Sequence, residues 1–534
     1  GSIAASIRII NPFLTSKDQD PGVIVIDNKC SKIVPLIGLH QSNTQNISCQ
    51  IANLLGGEII ETNNSNDQSF LNLDAFGNQW GWKRSGNIKD WSKLVIKQAK
   101  NEEIFCKQLS GNSLWKTSES GEIINQINEK EIEKPDSTFH VSIFENHETT
   151  WHPPVLWIGI GCERNTSKEL IANSLNNFLE SGNLSQQSIA GFATIDIKKD
   201  EKGILELAEE KNLPIKFFSK EDLSTIIVPN PSNVVQKEIG TPSVAEASCL
   251  LAAGEESKLL EEKRIFKNQS GAVTIAVAES KNQYNPTHGE IHIIGSGPGD
   301  ISFLTNNARK ALSRCTVWIG YKMYLDLIKP LKRNDQVLIE SKLTEEKERC
   351  SKAIKLAEEG IKVALISSGE SGFYGMAGLL LELLQKIKKE YRPYFEVHPG
   401  ISSVQLAAAI SGAPLMNDFC SVSLSDKLTP WSLIEKRIEG ALVGDFVIAL
   451  FNPQSIERNW QLKSVIDICL QSRHGDTPVL IARQVGRENQ TKKFFTLNTI
   501  PFKEIDMLSI IIIGNSQTTL VDEIFLTPRG YLQN

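Results

Sequence analysis

The stretch that most constrains this chain runs from Gly289 to Asp300, GEIHIIGSGPGD. Ile291 to Ile294 read as a β-strand that breaks into Gly295-Ser296-Gly297-Pro298-Gly299-Asp300 and feeds a helical pattern over Phe303–Leu312. A strand, a Gly/Pro turn and a helix open an α/β unit, and such folds bind ligands beyond the carboxyl ends of their strands. The rival reading, a dinucleotide fingerprint, fails on chemistry. Asp300 stands where the third glycine belongs, and Pro298 removes an N–H from the would-be phosphate cradle. The next strand, Thr316–Ile319, ends without the acid that would hold a ribose.

The turn is not alone. Downstream come Ser367-Ser368-Gly369-Glu370-Ser371-Gly372-Phe373-Tyr374-Gly375, then His398-Pro399-Gly400-Ile401-Ser402, Gly412-Ala413-Pro414-Leu415, Ser423-Leu424-Ser425-Asp426, Thr429-Pro430-Trp431, Phe451-Asn452-Pro453, Gly486-Arg487, Gly514-Asn515-Ser516 and Thr527-Pro528-Arg529-Gly530-Tyr531. Several motifs in one order are far more specific than any one of them. From residue 290 to the end the chain resembles the S-adenosylmethionine-dependent tetrapyrrole methylases, in the branch of precorrin-3B and cobalt-factor III C17-methyltransferases.

That resemblance implies a two-lobed α/β methylase, lobes about 290–400 and 401–534, with S-adenosyl-L-methionine in the cleft between them. The implied cofactor contacts are Pro298, Ser368, Gly369, Glu370, Phe373, Ser402, Ser403, Asn452 and Gly514. The relatives usually carry Asp-Pro where Glu370-Ser371 stands, and His where Asn417 stands. Lys342 and Tyr321 match an acid/base pair of related methylases, although a strand-end lysine is as readily an ordinary surface residue. Arg458, Arg483, Arg487 and Arg529 are candidate clamps for the carboxylates of a tetrapyrrole, through bidentate hydrogen bonds. Cobalt is expected only as part of the substrate, with no protein metal site, and the resemblance suggests a homodimer through the methylase half.

The N-terminal half reads as further α/β structure. Gly22–Asp27 and Lys32–Ile37 are strand-like, and Asn46–Leu55 has helical spacing closed by Gly56-Gly57. The run Pro21-Gly22-Val23-Ile24-Val25-Ile26-Asp27 with Val34-Pro35-Leu36-Ile37-Gly38-Leu39-His40 resembles the N-terminal part of cobalt-precorrin-5A hydrolase, which opens a δ-lactone on a ring-contracted corrinoid. His40 is the candidate catalytic residue there. Gln41–Asn46 replaces that family's Gly-Gly-Ala-Asn run. Residues 155–278 resemble the same family's C-terminal α/β domain, with strands at Leu156–Cys162, Ala193–Ile197 and Val273–Ala278. Thr166 and Ser167 offer caps for the helix after the first strand. Cys162 stands at the strand-to-turn boundary, and the second strand closes on Lys198 with Glu201 following. Cys162 reads better as a turn residue than as a nucleophile, because no base can be named beside it. Lys198 and Glu201 suit an ion pair or an active site equally.

Between these regions, residues 68–150 form a central hydrolase-like segment. Trp80-Gly81-Trp82 is expected in the core rather than as a substrate platform. His140, His147 and His152 have a spacing that fits neither helix nor strand and are expected in a solvated linker. Residues 279–289, polar and rich in turn formers, read as a linker. The domain expectation is therefore 1–67, 68–150, 155–278, a linker at 279–289, and the methylase from 290.

Composition sets bounds. A chain of 534 residues is too long for one core. A net charge of −6 argues against a nucleic-acid partner, which needs a basic face. Nine scattered cysteines without a C-x-x-C pair suit reduced thiols in the cytoplasm. No apolar run has transmembrane length, so no membrane partner is expected. No signal peptide is visible, and the start at Gly1-Ser2 rather than Met is what a piece of a longer chain or a cloning scar would give. The whole reads as a cobalamin-pathway methyltransferase joined to a lactone hydrolase. The alternatives are an N-terminal half that only binds corrinoids, and a methylase acting at another ring carbon.

Overall fold

The structure is a computed structural model. It describes residues 2–14, 20–38, 44–60, 70–128, 135–145, 149–269, 271–455 and 457–531. The chain divides into two compact units. The first comprises Gly1–His288 with Arg333–Val337 and Glu358–Ile361, and the second Gly289–Lys332, Leu338–Ala357 and Lys362–Asn534. Each is built from α/β layers, as expected.

Among the described residues, the first unit holds three sheets. The strands Val23–Ile26, Lys32–Ile37 and Glu58–Ile59 form a small one, joined through the helix Thr44–Leu55. A second sheet has the order Lys83–Ser85, Thr150–His152, Thr138–Val141, Phe105–Gln108, Asn125–Gln126. Its core is aromatic: Phe76 packs on Trp82, Trp115, Phe139 and Trp151 with ring centroids 5.2–5.8 Å apart. Trp80 and Trp82 are buried, as expected, and the Trp82 indole donates to Gln283 at 2.7 Å. The histidines overturn an expectation. His140 and His152 are buried on two adjacent strands of this sheet, not in a solvated linker; His147 lies outside the described residues. His152 Nδ1 donates to the Ser142 carbonyl at 2.8 Å, so Nε2 accepts from the Ser85 hydroxyl at 2.7 Å. Burial lowers its pKa, and the ring is a neutral member of the core.

The third sheet has the order Ile215–Phe218, Ile189–Ile195, Leu156–Cys162, Gly271–Glu279, Lys258–Asn268. The first three strands are parallel, Gly271–Glu279 runs antiparallel to them, and Lys258–Asn268 runs antiparallel to Gly271–Glu279. Strand Leu156–Cys162 is central, buried on both faces, and reads as an apolar run for that reason. Ser167 caps the helix Lys168–Ser181 by accepting from the Leu170 N–H.

The second unit has two five-stranded sheets. The first-lobe order is Val337–Ser341, Val317–Tyr321, Lys362–Ser367, Glu290–Gly295, Tyr394–His398. Glu290–Gly295 pairs in parallel with strands on both sides, so the turn after it emerges at the carboxyl edge. The helix that follows begins at Asn306 rather than Phe303, because the Thr305 hydroxyl accepts from the Ala308 N–H and sets its start. The second-lobe order is Phe419–Ser423, Val447–Phe451, Ser509–Ile513, Pro478–Arg483, Thr491–Thr496. Ile510 to Ile513 fill its two faces, all buried. A three-stranded sheet of Gly412–Ala413, Ile524–Leu526 and Thr519–Val521 completes the unit. No helix among the described residues is long and apolar enough to cross a membrane.

Candidate functional site

Three turns of the second unit converge. Gly297 and Gly369 exchange backbone hydrogen bonds at 3.1 and 2.8 Å, which locks the turn after Glu290–Gly295 to the turn after Lys362–Ser367. Both glycines hold positive φ, +76° and +62°, where a side chain would be strained. Gly400 brings in the third turn. A Cβ there would meet the Gly369 carbonyl oxygen at 2.0 Å, so only glycine allows the approach. Pro298, Ser368, Gly369 and Ser402 are thus neighbours across three turns at the carboxyl edge of one parallel sheet. Ser402 donates its N–H to Gln405 at 2.8 Å and opens the helix Ser403–Ser411.

The second lobe meets these turns at one end of its sheet. Phe373 lies 5.1 Å, edge-on, from Phe451, and the Tyr374 hydroxyl donates to the Ser421 carbonyl at 2.9 Å. Asn452 follows Phe451 with φ +50°, and its amide donates to the Ser423 hydroxyl at 3.0 Å. Glu370 turns back on its own loop, where its carboxylate accepts the Gly372 N–H at 2.8 Å.

Gly514 is not in this group. Ser509–Ile513 runs antiparallel to Val447–Phe451, with Ile513 opposite Ile448, so Gly514 leaves the sheet at the end where Val447 begins. Its carbonyl accepts from Arg473 there, at 2.6 Å. The residues that do meet the first turn are in the Gln484–Arg487 loop, which follows Arg483 at the same end as Asn452. Gly486 packs on Pro298, and its carbonyl accepts the Asp300 N–H at 2.6 Å. Gly486 was legible as a motif residue, but its contact with Pro298 depends on strand direction, which the sequence does not state.

The arginines separate into classes. Arg458 is buried and donates to the carbonyls of Leu424 and Asn452, at 3.1 and 2.9 Å, so it braces the loop rather than offering a free clamp. Arg483 forks onto Asp506 at 2.8–2.9 Å. Burial pushes the Asp506 carboxyl up, but Arg483 and the Leu508 N–H outweigh it and hold it below its usual value. Arg487 reaches into the cleft, 3.4 Å from the Pro298 carbonyl, and Arg529 is exposed. Lys342 and Tyr321 sit at the carboxyl ends of two adjacent strands, which the Ser341 hydroxyl ties together by donating to the Gly320 carbonyl at 3.0 Å. The Lys342 side chain is exposed, and the Tyr321 ring packs edge-on against Tyr324 at 5.3 Å.

In the first unit His40 lies outside the described residues. Lys198 and Glu201 form a buried ion pair at 3.0 Å near the carboxyl end of Ile189–Ile195. The other Glu201 oxygen accepts the Asn165 N–H at 2.8 Å. Burial pushes the neighbouring Cys162 thiol up to about 11, the wrong direction for a nucleophile at neutral pH.

A third constellation went unread in the sequence. Glu290-Ile291-His292 and Glu396-Val397-His398 are two Glu-x-His pairs on neighbouring strands, and His292, Glu396 and His398 place ligand atoms within 4.8 Å of one another. The signal was the repeated pair; what hid it was the separation in sequence.

Three family models match this chain: Cobalamin synthesis G N-terminal over residues 1–66, Cobalamin synthesis G C-terminus over 156–278, and Tetrapyrrole (Corrin/Porphyrin) Methylases over 290–501. A probable cobalt-factor III C(17)-methyltransferase of Salmonella typhimurium is 44% identical over 241 residues, which are 45% of this chain and 99% of that protein. The cobalt-factor III methyltransferase of Priestia megaterium is 44% identical over 245 residues, but the match spans only 45% of its length. The crystal structure of the methyltransferase CobJ matches 45% of this chain and 100% of its own, at 32% identity and a TM-score of 0.43. The chain belongs to the tetrapyrrole methylases. More particularly, it is a methyltransferase of cobalamin biosynthesis, carrying cobalamin-synthesis-G-like segments ahead of its methylase part.

Proposed function

We propose that the second unit binds S-adenosylmethionine among Pro298, Ser368, Gly369, Phe373, Ser402, Ser403, Asn452 and the Gly486 loop, and methylates C17 of cobalt-factor III or precorrin-3B with contraction of the ring. The observation that carries this is the three-turn junction of Gly297, Gly369 and Gly400, which draws three turns together at the carboxyl edge of a parallel sheet. The chemistry suits such a site. A ring carbon attacks the methyl group, a carbon–carbon bond forms, and the carbon–sulfur pair returns to sulfur as a neutral thioether. The leaving group is built into the donor, so alignment is the main task of the protein. Phe373, Tyr374 and Phe451 supply an apolar wall, Arg487 and Arg529 face the substrate's carboxylates, and Lys342 and Tyr321 serve proton transfer. Any cobalt is part of the substrate.

For the first unit we propose lactone opening of the cobalt-precorrin-5A type, with His40 and the Lys198–Glu201 pair as separate candidate residues, in domains at 1–67, 68–150 and 155–278 that precede a linker at 279–289. The test is anaerobic incubation of the full chain with cobalt-factor III and S-adenosylmethionine, read by mass spectrometry. Gain of the mass of one methyl, mapped to C17, supports the proposal. Unmodified substrate despite demonstrated donor binding overturns the substrate assignment, and methylation at another carbon relocates it. Hydrolysis of the lactone in cobalt-precorrin-5A is assayed separately. Corrinoid binding without ring opening makes the first unit a binding module instead.

A further inference from the structure

The first-lobe sheet carries a polar cluster that the methyl-transfer site does not use. Strands Glu290–Gly295 and Tyr394–His398 run in parallel, with Glu290 opposite Tyr394, His292 opposite Glu396 and Ile294 opposite His398. Side chains two apart share a face, so Glu290, His292, Tyr394, Glu396 and His398 all stand on one side of the sheet. His292 and His398 are buried, while Glu396 is half exposed.

The donor geometry is that of a metal-ligand set. His292 Nδ1 and His398 Nε2 are 2.9 Å apart, and Glu396 Oε2 is 3.9 and 3.8 Å from them. The point equidistant from these three atoms lies about 2.1 Å from each, the bond length a first-row ion makes to imidazole and carboxylate. The surroundings fit the same purpose. His292 Nε2 donates to Glu290 Oε2 at 2.8 Å, which fixes the tautomer and leaves the Nδ1 lone pair aimed at the centre. Lys362 in turn anchors Glu290 at 2.6 Å. A carboxylate–histidine pair behind a ligand is the usual outer support of a metal site. Tyr394 donates to Glu396 Oε2 at 3.3 Å and holds the third ligand.

We propose that His292, Glu396 and His398 bind one divalent transition-metal ion, with zinc the best match. Two imidazoles and one carboxylate suit zinc, whereas calcium and magnesium want all-oxygen cages. Binding requires His398 to move its ring proton from Nε2 to Nδ1; no net proton is lost. The ion cross-links the strand that ends in the Gly295–Asp300 turn to the strand that ends in the Pro399–Ser402 turn, and so fixes two of the three turns of the cleft. These three residues are positioning residues, with no contact to the reacting atoms.

The test uses the full chain stripped by chelator, dialysed and titrated with Zn2+ by calorimetry, with bound metal counted by mass spectrometry and Co2+ as an absorbance probe of coordination. Wild type is expected to take up one equivalent at this site. His398→Ala should lose it, Glu396→Gln should weaken it, and Glu290→Gln should weaken it about 10- to 100-fold through its support of His292. The exposed His474→Ala is the control and should bind as wild type does. Because a buried histidine replacement can unfold the lobe, Glu396→Gln decides on its own: Zn2+ should raise the melting temperature of wild type and do so less for this variant. No bound equivalent in wild type, or binding unchanged in both His398→Ala and Glu396→Gln, overturns the proposal.

Discussion

Gly400 is where one methyl group has the largest consequence. With the Gly369 carbonyl oxygen 2.0 Å from where its Cβ would be, Gly400→Ala must push two turns apart. Overpacking of this kind costs about 1–3 kcal/mol, and the displaced atoms line the proposed donor site. We expect a lower melting temperature and weaker S-adenosylmethionine binding by calorimetry; wild-type affinity would remove Gly369 and Ser402 from that site. Arg458 makes the opposite point. It is buried among carbonyls, so Arg458→Ala should destabilise the second unit by about 1.5–3 kcal/mol for each hydrogen bond lost, measured by urea denaturation, rather than raise KM alone. Lys216 gives a pH signature. Its amine lies over Trp157 and Tyr284 at 4.1 and 4.5 Å, and burial takes it down from 10.5 to about 8. Between those values the unfolded chain holds a proton that the folded chain has released. The contribution of Lys216 to stability therefore rises with pH across that window, by at most about 1.4 kcal/mol per pH unit. Lys216→Met should make the dependence of urea midpoint on pH from 8 to 10 less positive than that of wild type, and an unchanged slope would refute the assignment.

At the scale of elements, legibility followed burial. The strands Glu290–Gly295, Lys362–Ser367, Val447–Phe451 and Ser509–Ile513 lie inside sheets, are buried over most of their length, and stand out as runs that are mostly apolar. Four of the strands that are hard to read are edges: Tyr394–His398, Phe419–Ser423, Thr491–Thr496 and Lys258–Asn268. An edge strand is half solvated, so its pattern mixes Glu, Lys and Ser with apolar residues and resembles a loop. The same physics hid the Glu-x-His pairs, since one of them sits on such an edge. Turns were legible where glycine is compulsory, at Gly297, Gly369 and Gly400, and misleading where strand direction decides, as at Gly514. The spacing of His140 and His152 along the chain carries no helix or strand period because they belong to adjacent strands, and each strand has its own register.

For the molecule as a whole, the two halves differ in their independence. The Salmonella relative is matched over 99% of its length by the methylase half alone, so that half corresponds to a complete protein elsewhere. Substitutions should therefore act on one activity at a time. In the first unit the buried Lys198–Glu201 pair is best removed as a pair, because deleting one partner leaves the other charge buried and costs about 3–5 kcal/mol, whereas replacing both is close to neutral. Lys198→Met combined with Glu201→Gln should abolish lactone opening and leave C17 methylation at the wild-type rate. Gly400→Ala should do the reverse. Both reactions can be followed in parallel assays of the same preparation, each with its own purified substrate. If the double variant slows methylation to the same degree as lactone opening while the melting profile of the chain is unchanged, the halves are coupled, and the first unit then acts on the methylase rather than as an enzyme beside it.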